Sequence, residues 1–296
     1  MFANILMQMN QSIRHFESLY TEQLKDNYDP AEARSLVRHI LSDLMGNDES
    51  DYLSKKDKPL TDYIIHRLNE VLTELKKGIP VQYILGNAWF MGHLFQVNKA
   101  VLIPRPETEE LTDQIIQDYR ANAQDLHILD IGTGSGCIAI ALQKQLPGSV
   151  VYALDISTTA LEVARQNAQN LSAAVQFLQA DILDPNSLPS TMPLFDVIVS
   201  NPPYITPSEQ LGMEAHVKEQ EPSLALFVPE NDPLLFYRQI AHYSRQQLKP
   251  GGRIYVEINR RFGQETASLF RSMGFSEVSV YTDMQGAERI VKGINT

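Results

Sequence analysis

The sequence predicts an α/β protein: a small helical bundle, then a short hairpin, then an open, mostly parallel sheet covered by helices on both faces. Three observations carry that reading. Apolar residues recur at three- and four-residue steps up to about residue 80. From about residue 105, β-rich apolar runs alternate with helical segments, the pattern of strands joined by crossover helices. A glycine-rich turn, Gly132-Thr133-Gly134-Ser135-Gly136, follows the first of those runs and opens a helix.

Taken in order, Ile5, Leu6, Met9, Ile13, Phe16 and Tyr20 share one helical face. Asp29-Pro30-Ala31-Glu32 reads as a helix start, with a capping carboxylate, proline at the first helical position and Glu completing a box. Leu36, Val37, Ile40, Leu41 and Leu44 form its buried stripe, and a further helix begins near Thr61 with Ile64, Leu68, Val71, Leu72 and Leu75 on one face. Residues 1–80 are therefore expected to form a small helical bundle domain. Between 81 and 104 the period changes: Trp89, Phe90, Leu94, Phe95, Val97 and Val101 to Ile103 alternate around Gly86, Gly92 and Asn98, predicting a linker that contains a β-hairpin. Residues 105–296 hold the sheet. Its expected strands are 126–130, 150–155, 175–178, 195–200, 253–258, 278–281 and 289–291, with helices near 136–145, 157–170, 233–247 and 262–273. This is a Rossmann-like, seven-stranded arrangement.

Composition narrows the function. At 43% hydrophobic and 21% charged residues, the chain belongs with folded globular proteins rather than disordered or fibrous ones. A formal net charge of -11, with no basic run longer than Lys55-Lys56 and Lys76-Lys77, argues against nucleic acid or an anionic membrane as direct partner. The expected partners are a small molecule and another protein. Cys137 is the single cysteine, which excludes an internal disulfide and any Cys-rich metal site. No apolar stretch reaches membrane-spanning length and the amino terminus lacks a secretory pattern, so a cytoplasmic, monomeric protein without a metal is expected. His39, His66 and His127 lack metal-ligand spacing and read as structural.

In the glycine loop, missing Cβ atoms let the backbone turn sharply and approach a ligand, although an ordinary strand-to-helix turn could look the same. The spacing Asp130-Ile131-Gly132-Thr133-Gly134-Ser135-Gly136 is G-x-G-x-G after an acid, not the G-x-G-x-x-G of dinucleotide folds, and favours S-adenosylmethionine, which needs no pyrophosphate cradle. Asp155 closes the second strand, where a carboxylate can accept from both ribose hydroxyls; capping of the next helix is compatible with that role. Asp181 and Ile182 follow the third strand at the corresponding edge; in methyltransferases of this class such residues would flank the adenine.

Asn201-Pro202-Pro203-Tyr204 stands just past the fourth strand, where open sheets bind ligands. The motif alone could be a turn. Its chemistry suits an acceptor nitrogen attached to an sp² carbon, whose lone pair is delocalised and poorly nucleophilic. The Asn201 side-chain oxygen and the Pro202 carbonyl can each accept one N–H, holding the NH₂ group and favouring positive charge on nitrogen as it attacks. Adjacent prolines stiffen the loop, and Tyr204 offers a flat surface for the acceptor. Asn201 thus faces both the methyl donor and the acceptor.

The glycine loop and Asn-Pro-Pro-Tyr together resemble the amino methyltransferases of adenine or glutamine nitrogen. Three further segments are similar to the release factor glutamine methyltransferase (PrmC or HemK) family: Pro80 to Gly86, Val101 to Leu111 including Ile103-Pro104-Arg105-Pro106-Glu107-Thr108-Glu109, and Gly251 to Glu257. The resemblance implies a class I methyltransferase domain that transfers methyl from S-adenosylmethionine, leaving S-adenosylhomocysteine, to the glutamine amide nitrogen of the Gly-Gly-Gln tip of peptide chain release factors. It also implies that the helical domain helps hold the release factor and that Arg105 borders the substrate. Phe227 to Pro233 departs from the family's glycine-rich stretch, which puts the local loop shape in doubt. A ribosomal-protein glutamine methyltransferase, a DNA adenine methyltransferase and a non-catalytic docking module remain alternatives.

Overall fold

The computed structural model describes residues 12–46, 55–188, 191–209 and 220–296. The chain divides into two compact units, Met1–Gly86 and Asn87–Thr296.

In the first unit, α1 (Ile13–Leu24) is capped by Ser12, whose side chain accepts from the His15 amide, and buries Ile13, Phe16, Tyr20 and Leu24 at helical spacing. Ile5, Leu6 and Met9, expected on the same face, lie outside the described residues. Helix α2 (Pro30–Met45) starts as its sequence requires: Asp29 accepts from the Ala31 and Glu32 amides at 2.9 and 3.1 Å, Pro30 occupies the first turn, and Gly46 closes the helix at φ 61°. Helix α3 (Asp62–Leu75) is capped by Thr61 and buries Leu68, Val71, Leu72 and Leu75; the short α4 (Val81–Leu85) ends on Gly86. Their apolar faces form one cluster with Val37, Ile40 and Leu41 of α2 at its centre.

The second unit opens with the antiparallel hairpin of β1 (Asn87–Phe90) and β2 (His93–Gln96). Met91 at φ 49° and Gly92 at φ 75° make its two-residue turn, whose positive dihedrals match the twist of the strands. Alternation sends Phe90 and Phe95 inward and leaves Trp89 and Leu94, paired across the ladder, outside. Residues 81–104, read from sequence as one linker, thus divide between the units: the helix ends the first and the hairpin starts the second. Asn167 holds the hairpin in place, accepting from the Gln96 amide at 2.7 Å and donating to the Gln96 carbonyl at 2.9 Å.

Seven strands make the main sheet: β3 (His127–Ile131), β4 (Val150–Asp155), β5 (Val175–Gln179), β6 (Phe195–Ser200), β7 (Leu248–Glu257), β8 (Phe275–Thr282) and β9 (Glu288–Asn295), in the order β5-β4-β3-β6-β7-β9-β8. β3 to β7 run parallel; β9 is antiparallel to both of its neighbours. Successive strand residues enter opposite cores. Ile128, Val151, Val197 and Tyr255 pack with Leu111 and Ile115 of α5 (Pro106–Tyr119) and Ile138 of α6 (Cys137–Gln145), on the side that also holds Ala168 of α7 (Thr158–Asn170). Leu129, Leu154, Ile198 and Val256 pack with Ile240 of α9 (Leu235–Gln247) and Phe270 of α10 (Gly263–Ser272), beyond the one-turn α8 (Ser223–Leu226). Strand order reverses between β3 and β6, so the crevice at their carboxyl ends is the position for a ligand.

Candidate active site

Both loops that flank the crevice are fixed by the strands they leave. After β3, Gly132, Gly134 and Gly136 take φ of 74°, 54° and 81°, which side chains rarely allow. Asp155 at the end of β4 ties the loop down: Oδ2 accepts from the Gly134 amide at 2.9 Å and Oδ1 from the Ser157 amide at 2.9 Å. The Asn167 side chain, besides holding the hairpin, donates to the Ser135 carbonyl at 2.9 Å. Beneath the loop, Asp130 is wholly buried and accepts from Thr133 Oγ1 at 2.6 Å. The Ala139 amide favours the ionised carboxyl, and Oδ1 has no hydrogen-bond partner. Burial pushes the Asp130 carboxyl up to about 7.

These parts line a cavity of about 460 Å³. Of the predicted residues, Gly132, Thr133, Gly134, Ser135, Asp155, Asp181, Ile182, Asn201, Pro202, Pro203 and Arg105 line it together; Gly136 and Tyr204 do not. Gly136 lies behind the loop, where a Cβ would stand 3.0 Å from Ile140 Cδ1 and 3.1 Å from Ala164 Cβ. Its part is close packing of loop, helix and α7. Asp181 accepts from the Leu183 amide at 2.8 Å, which shapes the turn carrying Ile182. Arg105 pairs with the buried carboxylate of Glu221, which also accepts from the Ile103 amide at 3.2 Å, so the segment before α5 is fastened to the segment before α8.

The end of β6 carries a chain of side-chain hydrogen bonds. Asn201 Nδ2 donates to Thr108 Oγ1 at 3.0 Å, Thr108 Oγ1 donates to Glu257 Oε2 at 2.6 Å, and the Tyr204 hydroxyl donates to Glu257 Oε1 at 3.1 Å. Thr108 stands in the first turn of α5 and Glu257 at the end of β7, both buried. Burial pushes the Glu257 carboxyl up to about 7, against the lowering effect of Thr108, Tyr204 and Arg289; burial and Glu257 hold the Tyr204 hydroxyl well above its ordinary value. Tyr204 is held by its hydroxyl and does not line the cavity where its flat face was expected. Thr108 and Glu257 lay within quoted motifs but no local signal gave them a role; a threonine in the first turn and an acid ending a strand are ordinary there. Among the described residues no group of three or more His, Cys, Asp and Glu could hold a metal, and no helix is long and apolar enough to cross a membrane.

Strand order, glycine loop and crevice define a methyltransferase domain, and residues 122–279 match the family profile described as Methyltransferase domain, while residues 18–86 match the PrmC N-terminal domain. A release factor glutamine methyltransferase of Bacteroides thetaiotaomicron is 44% identical over 91% of this chain and 95% of its own, and that of Flavobacterium psychrophilum is 39% identical over 95% and 98%. A solved 16S rRNA N2 G1207 methyltransferase of T. Thermophilus, in complex with AdoMet and guanosine, shares the fold with a TM-score of 0.50 at 15% identity, over 71% of this chain and 50% of that one. The chain belongs to the release factor glutamine methyltransferase family.

Proposed function

We propose that the protein transfers the methyl group of S-adenosylmethionine to the side-chain amide nitrogen of the Gly-Gly-Gln glutamine of peptide chain release factors. The cavity fits that donor. Asp155 is held at its wall with lone pairs left for ribose hydroxyls, and Asp181 and Ile182 border it just past the neighbouring strand β5. When bound, S-adenosylmethionine supplies an electrophilic methyl on sulfur.

The observation that carries the reading is Asn201. With Nδ2 turned to Thr108, Oδ1 is the side-chain acceptor left to a ligand in the cavity. That oxygen and the Pro202 carbonyl would hold the two amide hydrogens of glutamine and stabilise positive charge on its nitrogen as the C–N bond forms and the C–S bond breaks. The surplus proton leaves afterwards. Arg105, fastened to Glu221, would steady the rim against the substrate, and the helical unit would hold the body of the release factor. The protein would act as a cytoplasmic monomer; a dimer in sedimentation velocity would revise that last part.

Single-turnover methylation of a purified release factor tests the site. Asn201→Ala should slow transfer by on the order of 10² to 10³, the scale for losing one preorganised polar contact, with much less change in donor affinity. Asn201→Asp should also be slow, because a carboxylate favours the sulfonium ground state. Near-wild-type transfer by the alanine variant would reduce Asn201 to a turn residue.

A further inference from the structure

An amide side chain can present either end to a ligand, and oxygen and nitrogen differ little in shape. Only one end of Asn201 can accept an N–H. The surroundings decide which end it presents. Thr108 has one hydroxyl proton, and Glu257 Oε2 takes it at 2.6 Å. The other carboxylate oxygen takes the Tyr204 proton at 3.1 Å. An ionised carboxylate accepts and cannot donate, so the Thr108 oxygen has only lone pairs left for Asn201. It receives Nδ2 at 3.0 Å. The flipped amide would set oxygen against oxygen.

We propose that Thr108 and Glu257, with Tyr204 as second anchor, are positioning residues that fix the orientation of the Asn201 amide and so keep its oxygen toward the acceptor nitrogen. This rests on the role given to Asn201 above. The device spans three elements, joining α5, the turn after β6 and the end of β7 through the buried Thr108 and Glu257, where a missing partner is costly. It works only while Glu257 is ionised. Once protonated, Glu257 can donate to Thr108, which frees the Thr108 proton for Asn201 Oδ1 and favours the wrong orientation. The groups facing Glu257 are Thr108 and Glu107 of α5, Tyr204, Arg289 of β9, Tyr237 of α9 and Cys137 of α6. Arg289 is the cation among them, and it favours the ionised form.

The test is single-turnover methylation of an intact release factor by the full-length protein, with S-adenosylmethionine affinity measured by calorimetry. Thr108→Val puts a methyl where Nδ2 needs an acceptor; it should slow transfer on the order of 10- to 100-fold, with donor affinity nearly unchanged, since an unpaired buried N–H is disfavoured by about that factor. Thr108→Ser, which keeps the hydroxyl, should recover most of the loss. In an Asn201→Ala background, Thr108→Val should cost nothing further. Wild-type transfer should decline below about pH 7 with one proton, and Glu257→Gln should be slow and lose that acidic limb. If Asn201→Ala is slow but Thr108→Val is as fast as wild type, or loses the same factor in both backgrounds, the positioning role is wrong. If Asn201→Ala itself is fast, the failure belongs to the role of Asn201 instead.

Discussion

Asp155 engages both carboxylate oxygens with backbone amides before any ligand arrives, one of them on the glycine loop. Asp155→Ala should therefore weaken S-adenosylmethionine binding by more than the ribose contacts alone, on the order of 100-fold, through loss of charged hydrogen bonds and of loop order. Asp155→Asn, which keeps one acceptor, should lie between. Calorimetry on folded variants checks both, and unchanged affinity would remove Asp155 from the site. Asp130 and Glu257 give a second residue-scale prediction. Burial raises both carboxyls to about 7 in the folded state, against 3.8 and 4.5 for the ordinary groups. The folded chain then binds more protons than the unfolded chain between about pH 4 and 7, so the contribution of these two groups to stability falls as pH rises through that window and levels off above it. Asp130→Asn, isosteric and uncharged, should flatten part of that slope in melting temperatures recorded from pH 5 to 8. A slope equal to that of wild type would mean that Asp130 is already ionised at pH 5.

At the scale of elements, helices of the first unit were legible from their apolar periodicity and from two starts, Asp29-Pro30 and Thr61, whereas the cap at Ser12 and the stop at Gly46 were not read. Strands β3 to β6 were legible as apolar runs. β7 and β9 were not, in their full length. β7 begins at Leu248, well before the expected 253, because Pro250-Gly251-Gly252 interrupts the apolar pattern while the ladder with β6 starts at Leu248. β9 runs to Asn295 because pairing with β7 and β8, not the sequence at Lys292-Gly293, sets its end. The same contrast holds in the site. The glycine loop and Asn201 to Tyr204 are contiguous and could be read, whereas Thr108 and Glu257 meet across a separation of 149 residues and Asn167 reaches Gln96 across 71. The loop-to-helix joint yields its own prediction. At Gly136, φ of 81° strains any side chain, and contacts of 3.0 and 3.1 Å admit a methyl group only if Ile140 and Ala164 give by a few tenths of an ångström. Gly136→Ala should destabilise the second unit by about 1–3 kcal/mol and weaken donor binding, read from thermal unfolding with and without S-adenosylmethionine. An unshifted transition would show that α7 yields more easily than a packed core.

For the whole molecule, the proposed function implies a division of labour. Each unit has its own apolar core, and every residue lining the cavity lies in Asn87–Thr296. A fragment of residues 87–296 should bind S-adenosylmethionine with affinity close to that of the full chain, yet methylate an intact release factor far more slowly. Equal rates on the protein substrate would remove the recognition role from the helical unit. The buried Cys137 bears on the same division. Burial lifts its thiol to about 12, and alkylating reagents attack the thiolate, so the folded second unit should resist them at neutral pH. No other cysteine exists in the chain. Iodoacetamide uptake thus becomes a stopwatch that runs while the second unit is open, or while reagent enters the cavity that Cys137 lines, and is blind to the first. Donor at ten times its dissociation constant should slow the stopwatch about elevenfold, which turns a mass shift of one adduct into a binding isotherm.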